Sequence, residues 1–286
     1  MEKTPISLRD TATAEARTSK RSRFSISAAM KKAIKGIVRR LGYELVRHDG
    51  RGIAASADEF PPDFDESTIA LFREVEPYTM TSKERVFALL RSVEYIVRHN
   101  IPGDIVECGV WKGGSMMAVA KALIALGQTD RTLYLFDTFE GMPPPSSVDR
   151  TYSGKGASDL LQAANRDTAW IWAYSPIEEA KRVMANTGYE PRRTVFVPGK
   201  VEDTVPANAP ATISLLRIDT DWYDSTYHEL KHLYPRLSIG GVLIVDDYGH
   251  WEGARRAVDQ YIGEHNLKVL LSRSDYTGRV CVKLES

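Results

Sequence analysis

Five acidic residues stand at the ends of short apolar runs: Glu107, Asp137, Asp219 and the pair Asp246-Asp247. In an α/β chain, strand ends are where ligands bind. Glu107 opens the stretch Glu107-Cys108-Gly109-Val110-Trp111-Lys112-Gly113-Gly114-Ser115. Its glycines let backbone approach a ligand, and the helix expected from Ser115 aims N–H groups at the same place. An acid there suits a cation or an amino group better than a pyrophosphate. The stretch has neither the Gly-x-Gly-x-x-Gly of a dinucleotide site nor the Gly-Lys-Ser/Thr of a phosphate loop, which argues against a dehydrogenase. Taken alone, it also fits a tight turn chosen for packing. Asp137 stands where a carboxylate can accept both hydroxyls of a ribose, although a turn or cap acid would look the same. Together, the two features describe a nucleoside with an amino-acid tail, which is S-adenosylmethionine.

Asp219-Thr220-Asp221 and Asp246-Asp247 suggest a second chemistry. If the runs before them are neighbouring strands, their acids converge, and like charges that close require a cation. Oxygen ligands favour magnesium or calcium, and the lack of a nearby cysteine argues against zinc. Solvated strand-end acids are the alternative.

These residues must be positioned by regular elements. Strands are expected at 105–108, 132–136, 194–197, 213–218, 242–245, 268–271 and 280–283. Between them, helices are expected at about 82–101 (capped by Ser82, with Arg85 where a capping-box Glu would sit), 115–126, 175–186, 225–237 and 253–265. Alternating strands and helices imply an α/β fold, a doubly wound and mostly parallel seven-stranded sheet covered on both faces. Residues 141–174, with Pro143-Pro144-Pro145, form a long connection that reads as a lid. Its Tyr152, Trp170, Trp172 and Tyr174 could stack on an acceptor, with Gly154 and Gly156 as hinges, or bury as a satellite core.

The chain has 286 residues, 43% of them hydrophobic and 27% charged, which excludes disordered, collagen-like and disulfide-stapled classes. Its two cysteines, Cys108 and Cys281, lie in apolar runs and fit a reducing compartment. Residues 1–23 lack the apolar core of a signal peptide, and no apolar run reaches the length of a membrane span. A cytoplasmic location is therefore expected. The net charge of zero hides an asymmetry, because residues 1–50 hold twelve Lys/Arg against five acids. Within them, residues 27–46 show helical apolar spacing with a basic opposite face. This helix could contact an anionic membrane peripherally, touch nucleic acid, dock on a partner, exchange between copies in a homo-oligomer, or pack on the main domain. We divide the chain into a basic extension with linker, 1–66, and a catalytic domain, 67–286.

The ordered motifs are similar to those of the macrocin O-methyltransferase (TylF/MycF) family. They are Tyr78-Thr79-Met80, the stretch from Glu107 to Ser115, Phe136-Asp137-Thr138-Phe139-Glu140-Gly141-Met142-Pro143, Gly199 with Asp203-Thr204-Val205-Pro206, Ile218-Asp219-Thr220-Asp221 with Tyr223 and Ser225-Thr226, Tyr234-Pro235-Arg236-Leu237, and Asp246-Asp247-Tyr248-Gly249. The resemblance covers about residues 75–265 and not the basic extension. It implies a class I methyltransferase fold, S-adenosyl-L-methionine as donor, Mg2+ as cofactor, and a small-molecule or glycan acceptor methylated on a sugar hydroxyl, with no nucleic-acid partner.

By position, the resemblance assigns Glu107, Gly109, Trp111, Gly113 and Ser115 to the methionine part of the donor, and Asp137 with Thr138 to the ribose. Thr79 and Met80 would border the methyl group, and the segment from Gly199 to Asp203 would flank adenine. Asp219, Asp246 and Asp247 would hold the metal. Catechol-type relatives of this fold place a lysine soon after the first metal aspartate. Here Asp221, Trp222 and Tyr223 stand there instead, so the candidate bases are Asp219, Asp221 and then His250. Two other functions fit less of the chain: methylation of a phenolic or catechol-like hydroxyl, and a donor-binding scaffold without catalysis.

Overall fold

The element nearest the start of the described chain begins with a side-chain cap. Asp65 Oδ1 accepts the Thr68 N–H at 2.7 Å and opens α1 (Glu66–Val75), whose Phe72 and Val75 turn inward. Ser82 caps α2 (Lys83–Arg98) in the same way, accepting the Arg85 N–H at 3.2 Å. The computed structural model describes residues 60–285, which belong to a compact unit beginning at Phe60. The expected basic helix at 27–46 lies outside the described residues.

Among the described residues, seven strands make one sheet: β1 (Asp104–Cys108), β2 (Leu133–Asp137), β3 (Thr194–Pro198), β4 (Ile213–Ile218), β5 (Leu237–Val245), β6 (Ser272–Arg273) and β7 (Arg279–Val282). Their order is β3-β2-β1-β4-β5-β7-β6; the first five are parallel, and β7 runs antiparallel to both its neighbours. Alternate residues along each strand serve opposite faces. Ile105, Leu135, Leu215 and Ile244 pack with α2, α3 (Gly114–Ala125) and α5 (Ile177–Ala185), through Leu89, Val93, Leu123 and Met184. Val106, Phe136, Leu216 and Leu243 pack on the other face with Leu230 and Leu233 of α7 (Tyr223–Leu233) and with Val258 and Tyr261 of α8 (Glu252–Glu264). Two shorter helices, α4 (Ala157–Ala163) and α6 (Val201–Thr204), lie in the connections after β2 and β3. The sheet is thus doubly wound, as expected.

The strand order reverses between β1 and β4, and a crevice opens there beyond the carboxyl ends. Hydrogen bonds continue past the strand tips and fix the residues in it. Gly109 N–H donates to the Phe136 carbonyl (2.8 Å), Asp219 N–H to that of Cys108 (2.8 Å), and Asp246 N–H to that of Ile218 (2.9 Å). Gly109 has φ +87°, and a Cβ there would lie 1.9 Å from the Asp219 carbonyl oxygen, so only glycine allows the two tips to touch.

Three elements depart from the sequence reading. The helix expected to run to Leu237 stops at Leu233, because Pro235 can only continue it as the short 3-10 turn Tyr234–Arg236. Strand β5 then starts at Leu237, earlier than expected, with its register against β4 shifted between Ile213 and Leu215. Residues 268–271 do not join the sheet; Val269 and Leu271 pack on the core while Leu270 is 79% exposed.

Replacing Asp65 by Ala should destabilise the chain by about 0.5 to 1 kcal/mol at pH 7, at the low end for a cap because the site is exposed. The Ser67 hydroxyl and then the Thr68 N–H hold the Asp65 carboxyl down at about 2, from an ordinary 3.8. This stabilisation is therefore complete above the ordinary value and is lost as pH falls through about 2. Urea unfolding of both proteins at pH 7 and at acid pH checks it: the difference should shrink in acid.

Candidate active site

A cavity of about 400 Å³ occupies the crevice. On its β1 side the glycine-rich turn is held by Asp137. One carboxylate oxygen, Oδ2, accepts the N–H groups of Val110 (2.6 Å) and Trp111 (2.9 Å), and the other accepts that of Phe139 (2.7 Å). Burial raises the Asp137 pKa, while these bonds oppose the shift. The turn needs the support, because Trp111 has φ +50° and Gly113, the N-cap of α3, has φ +89°. Gly114 brings the start of α3 against Tyr78, where a Cβ would meet the Tyr78 carbonyl oxygen at 2.5 Å. Thr79 and Met80 thereby reach the cavity wall.

On the β4 and β5 side, Asp219, Asp246 and Asp247 each offer an oxygen, all within 4.8 Å of one another. Beneath them lies Arg217, 3% exposed. It reaches Glu107 Oε1 (2.6 Å) through Nη1, and Asp219 Oδ2, Asp246 Oδ1 and the Thr81 hydroxyl (each 2.8 Å) through Nη2. Arg85 donates from the opposite wall to Asp246 Oδ2. Asp221, with φ +64°, donates its N–H to Asp247 Oδ2 at 3.2 Å. Burial and the Asp219 charge push the Asp221 carboxyl up to about 7. Burial and the neighbouring Asp221 and Asp219 charges raise Asp247 well above the carboxylate range. Burial also carries Glu107 to about 7 despite its pairing with Arg217.

Of the sequence-predicted residues, Thr79, Met80, Gly109, Trp111, Ser115, Asp137, Thr138, Gly199, Asp219, Asp221, Asp246, Asp247 and His250 line the cavity. Glu107, Gly113 and Asp203 do not. Glu107 lies under the turn with Arg217, its Oε2 without a hydrogen-bond partner. Gly113 faces Ala180 of α5, and Asp203 borders an adjoining recess with Lys200 and Arg166. His250 pairs its Nδ1 with the Tyr276 hydroxyl at 2.7 Å, and its pKa is lowered by burial and then by Arg85.

The sequence reading missed Arg217 and Arg85. A signal existed for each: a lone arginine in the apolar run 213–218 demands a buried partner, and Arg85 stands three residues after Ser82, where a capping box would place an acid.

The connection 141–174 closes one side of the cavity and is stitched to the core. The Trp222 indole donates to the Pro143 carbonyl (2.9 Å), the Tyr223 N–H donates to Asp149 Oδ1 (2.8 Å), and the Tyr152 N–H donates to the His250 carbonyl (2.8 Å). Its aromatic residues divide. Trp172 packs with Ile171, Trp222 and Trp251 as a satellite core, whereas Tyr152 (66% exposed) and Trp170 (61%) stand around His250 with Tyr276.

A doubly wound sheet with a glycine-rich turn at the β1 tip and acids at the β2, β4 and β5 tips is the architecture of a class I methyltransferase. The family model described as macrocin-O-methyltransferase (TylF) matches residues 47–283, and the chain belongs to that family of O-methyltransferases. It is 34% identical over 201 residues to a demethyldecarbamoylnovobiocin O-methyltransferase from Streptomyces niveus, covering 70% of this chain and 74% of that protein. It is 33% identical over 205 residues to the 8-demethyl-8-(2,3-dimethoxy-alpha-L-rhamnosyl)-tetracenomycin-C 4'-O-methyltransferase of Streptomyces olivaceus, with coverage of 70% and 74%. The solved structure of the O-methyltransferase NovP superposes with a TM-score of 0.63 at 32% identity, covering 73% of this chain and 83% of that one. No helix among the described residues is long and apolar enough to cross a membrane.

Removing the shared cation should expose its role. Arg217→Met leaves Glu107 and Asp246 buried with one positive partner fewer, and is expected to cost about 3 to 5 kcal/mol in chemical denaturation. Arg217→Lys should recover only part of this, because an ammonium cannot reproduce the two-pronged guanidinium contact.

Proposed function

We propose that the chain transfers the methyl group of S-adenosylmethionine to a sugar hydroxyl of a glycosylated natural product or glycan, with magnesium at Asp219, Asp246 and Asp247. The observation that carries this reading is the juxtaposition, in one cavity, of the braced turn at the β1 tip and the oxygen cluster at the β4 and β5 tips. A relative named for the 4'-O-methylation of a rhamnosyl tetracenomycin supports the sugar acceptor.

Magnesium fits the donor set. All the ligands are hard carboxylate oxygens, and burial followed by the charge of neighbouring aspartates drives Asp221 and Asp247 toward protonation, a cost that a bound cation relieves. When bound, such an ion lowers the pKa of a hydroxyl placed beside it.

The chain's own residues supply the rest. Gly109, Trp111 and Ser115 wrap the methionine end of the donor, and Thr79 and Met80 border its methyl group. Asp137 keeps the turn in shape while presenting lone pairs toward the ribose beside Thr138, and Gly199 flanks the adenine. Asp221, which lines the cavity beside Asp219 and Asp247, is the first candidate to take the acceptor proton as its oxygen attacks the methyl carbon. The positive charge of the sulfonium is lost as the carbon–sulfur bond breaks, and rate comes from holding oxygen, carbon and sulfur in line. His250, held by Tyr276, is the second candidate base. The exposed rings of Tyr152, Trp170 and Tyr276 give the acceptor an aromatic platform. They also favour, as a second reading, a phenolic acceptor hydroxyl.

Calorimetric titration of S-adenosylmethionine, with magnesium and with a chelator, tests the donor; absence of binding in both would overturn the proposal. Asp246→Asn should lower turnover by about 100-fold or more while leaving donor affinity nearly intact. Trp170→Ala should raise the KM for a glycoside acceptor without weakening donor binding, and a flat phenol preferred over every glycoside would favour the second reading. Steady-state kinetics beside calorimetry separates these outcomes.

A further inference from the structure

Arg85 projects from the first turn of α2 into the cavity wall, 13% exposed, and binds two carboxylates. Its Nη1 donates to Asp246 Oδ2, and its Nε lies 3.1 Å from Asp275 Oδ2. The other oxygen of Asp246 already accepts from Arg217 at 2.8 Å. Guanidinium groups therefore hold both oxygens of one proposed metal ligand.

Asp275 is a different kind of partner. Its Oδ1 accepts the N–H groups of Thr277 (2.9 Å) and Gly278 (2.7 Å), and its Oδ2 accepts the Ser82 hydroxyl at 2.8 Å. These bonds hold the Asp275 carboxylate beside Arg85 whatever Asp246 does. Ser82 also caps α2, so the backbone carrying Arg85 is fixed to the same point. A divalent ion shared by Asp219, Asp246 and Asp247 needs an oxygen of Asp246 and adds two positive charges beside a guanidinium. Coulomb repulsion in a partly buried site makes that arrangement costly while Arg85 stays on Asp246.

We propose that Arg85 is a resident counter-ion of the metal site: it neutralises Asp246 while no divalent ion is bound, and yields that oxygen when one binds, remaining tethered to Asp275. The inference rests on the metal reading above. Arg85 thereby keeps the acid cluster folded in the metal-free protein and sets how tightly the metal is held.

Chelator-treated full-length protein is titrated with Mn2+, and free ion is followed by electron paramagnetic resonance. Arg85→Gln should bind Mn2+ about tenfold or more tightly than wild type, and Arg85→Lys close to wild type. Asp275→Asn should bind it more weakly, because Arg85 then has only Asp246 to pair with. Thermal unfolding in chelator should be lower for Arg85→Gln than for wild type, and the gap should close as Mn2+ is added. If Arg85→Gln does not fold, the weakened binding of Asp275→Asn carries the test. Wild-type or weaker affinity in Arg85→Gln, or unchanged affinity in Asp275→Asn, overturns the inference alone. No uptake of Mn2+ by any of the proteins, wild type included, with S-adenosylmethionine still bound, overturns the metal reading together with it.

Discussion

The buried guanidinium of Arg217 is the interaction on which the site depends. It sits at the penultimate position of β4, inside the sheet, and is shared by Glu107 from β1, Asp246 from beyond β5 and Asp219 from its own strand's tip. Burial raises Glu107 far above an ordinary glutamate, and the nearby charge of Asp219 adds to the shift while Arg217 opposes it. A buried arrangement of this kind contributes little net stability but is costly to break. It places the floor of the glycine-rich turn and the floor of the acid cluster on the same side chain.

The topology makes that sharing possible. Only at the reversal of strand order do two adjacent parallel tips send their following chains to opposite faces, leaving a gap above the sheet. Both sides of the gap are braced before any ligand arrives. Asp137 grips the turn through backbone N–H groups, and the stitched connection 141–174 closes one side.

Much of this was legible in the sequence. Strand β4 was read residue for residue, because its run is too short for a helix, is bordered by turn residues and is flanked by other short strand-like runs. The acids at the strand tips were legible for the same reason, since strand ends in a parallel sheet share one edge. What remained hidden depends on distant partners. No local pattern tells that Asp137 turns back to residues 110 and 111, or that Arg217 spends its charge on residues 107 and 246. Trp170 and Trp172 are two positions apart, yet one is exposed at the mouth and the other packs against Trp222 and Trp251. Residues 268–271 alternate like a strand, but ladder pairing with β7 begins only at Ser272. The 3-10 turn at Tyr234–Arg236 shows the opposite case: the local rule about proline was legible in the sequence, and it prevails over the apolar spacing that continues through it.

The carboxylates lining the cavity outnumber its guanidinium groups, which gives the opening an excess of acidic groups. The potential of such an excess draws cations inward and speeds their capture. On the function proposed above, a sulfonium donor would enter along it, and its sulfur would lose that attraction once the methyl group had left. The acid-rich wall would then bias exchange toward retaining the charged donor and releasing the less positive product.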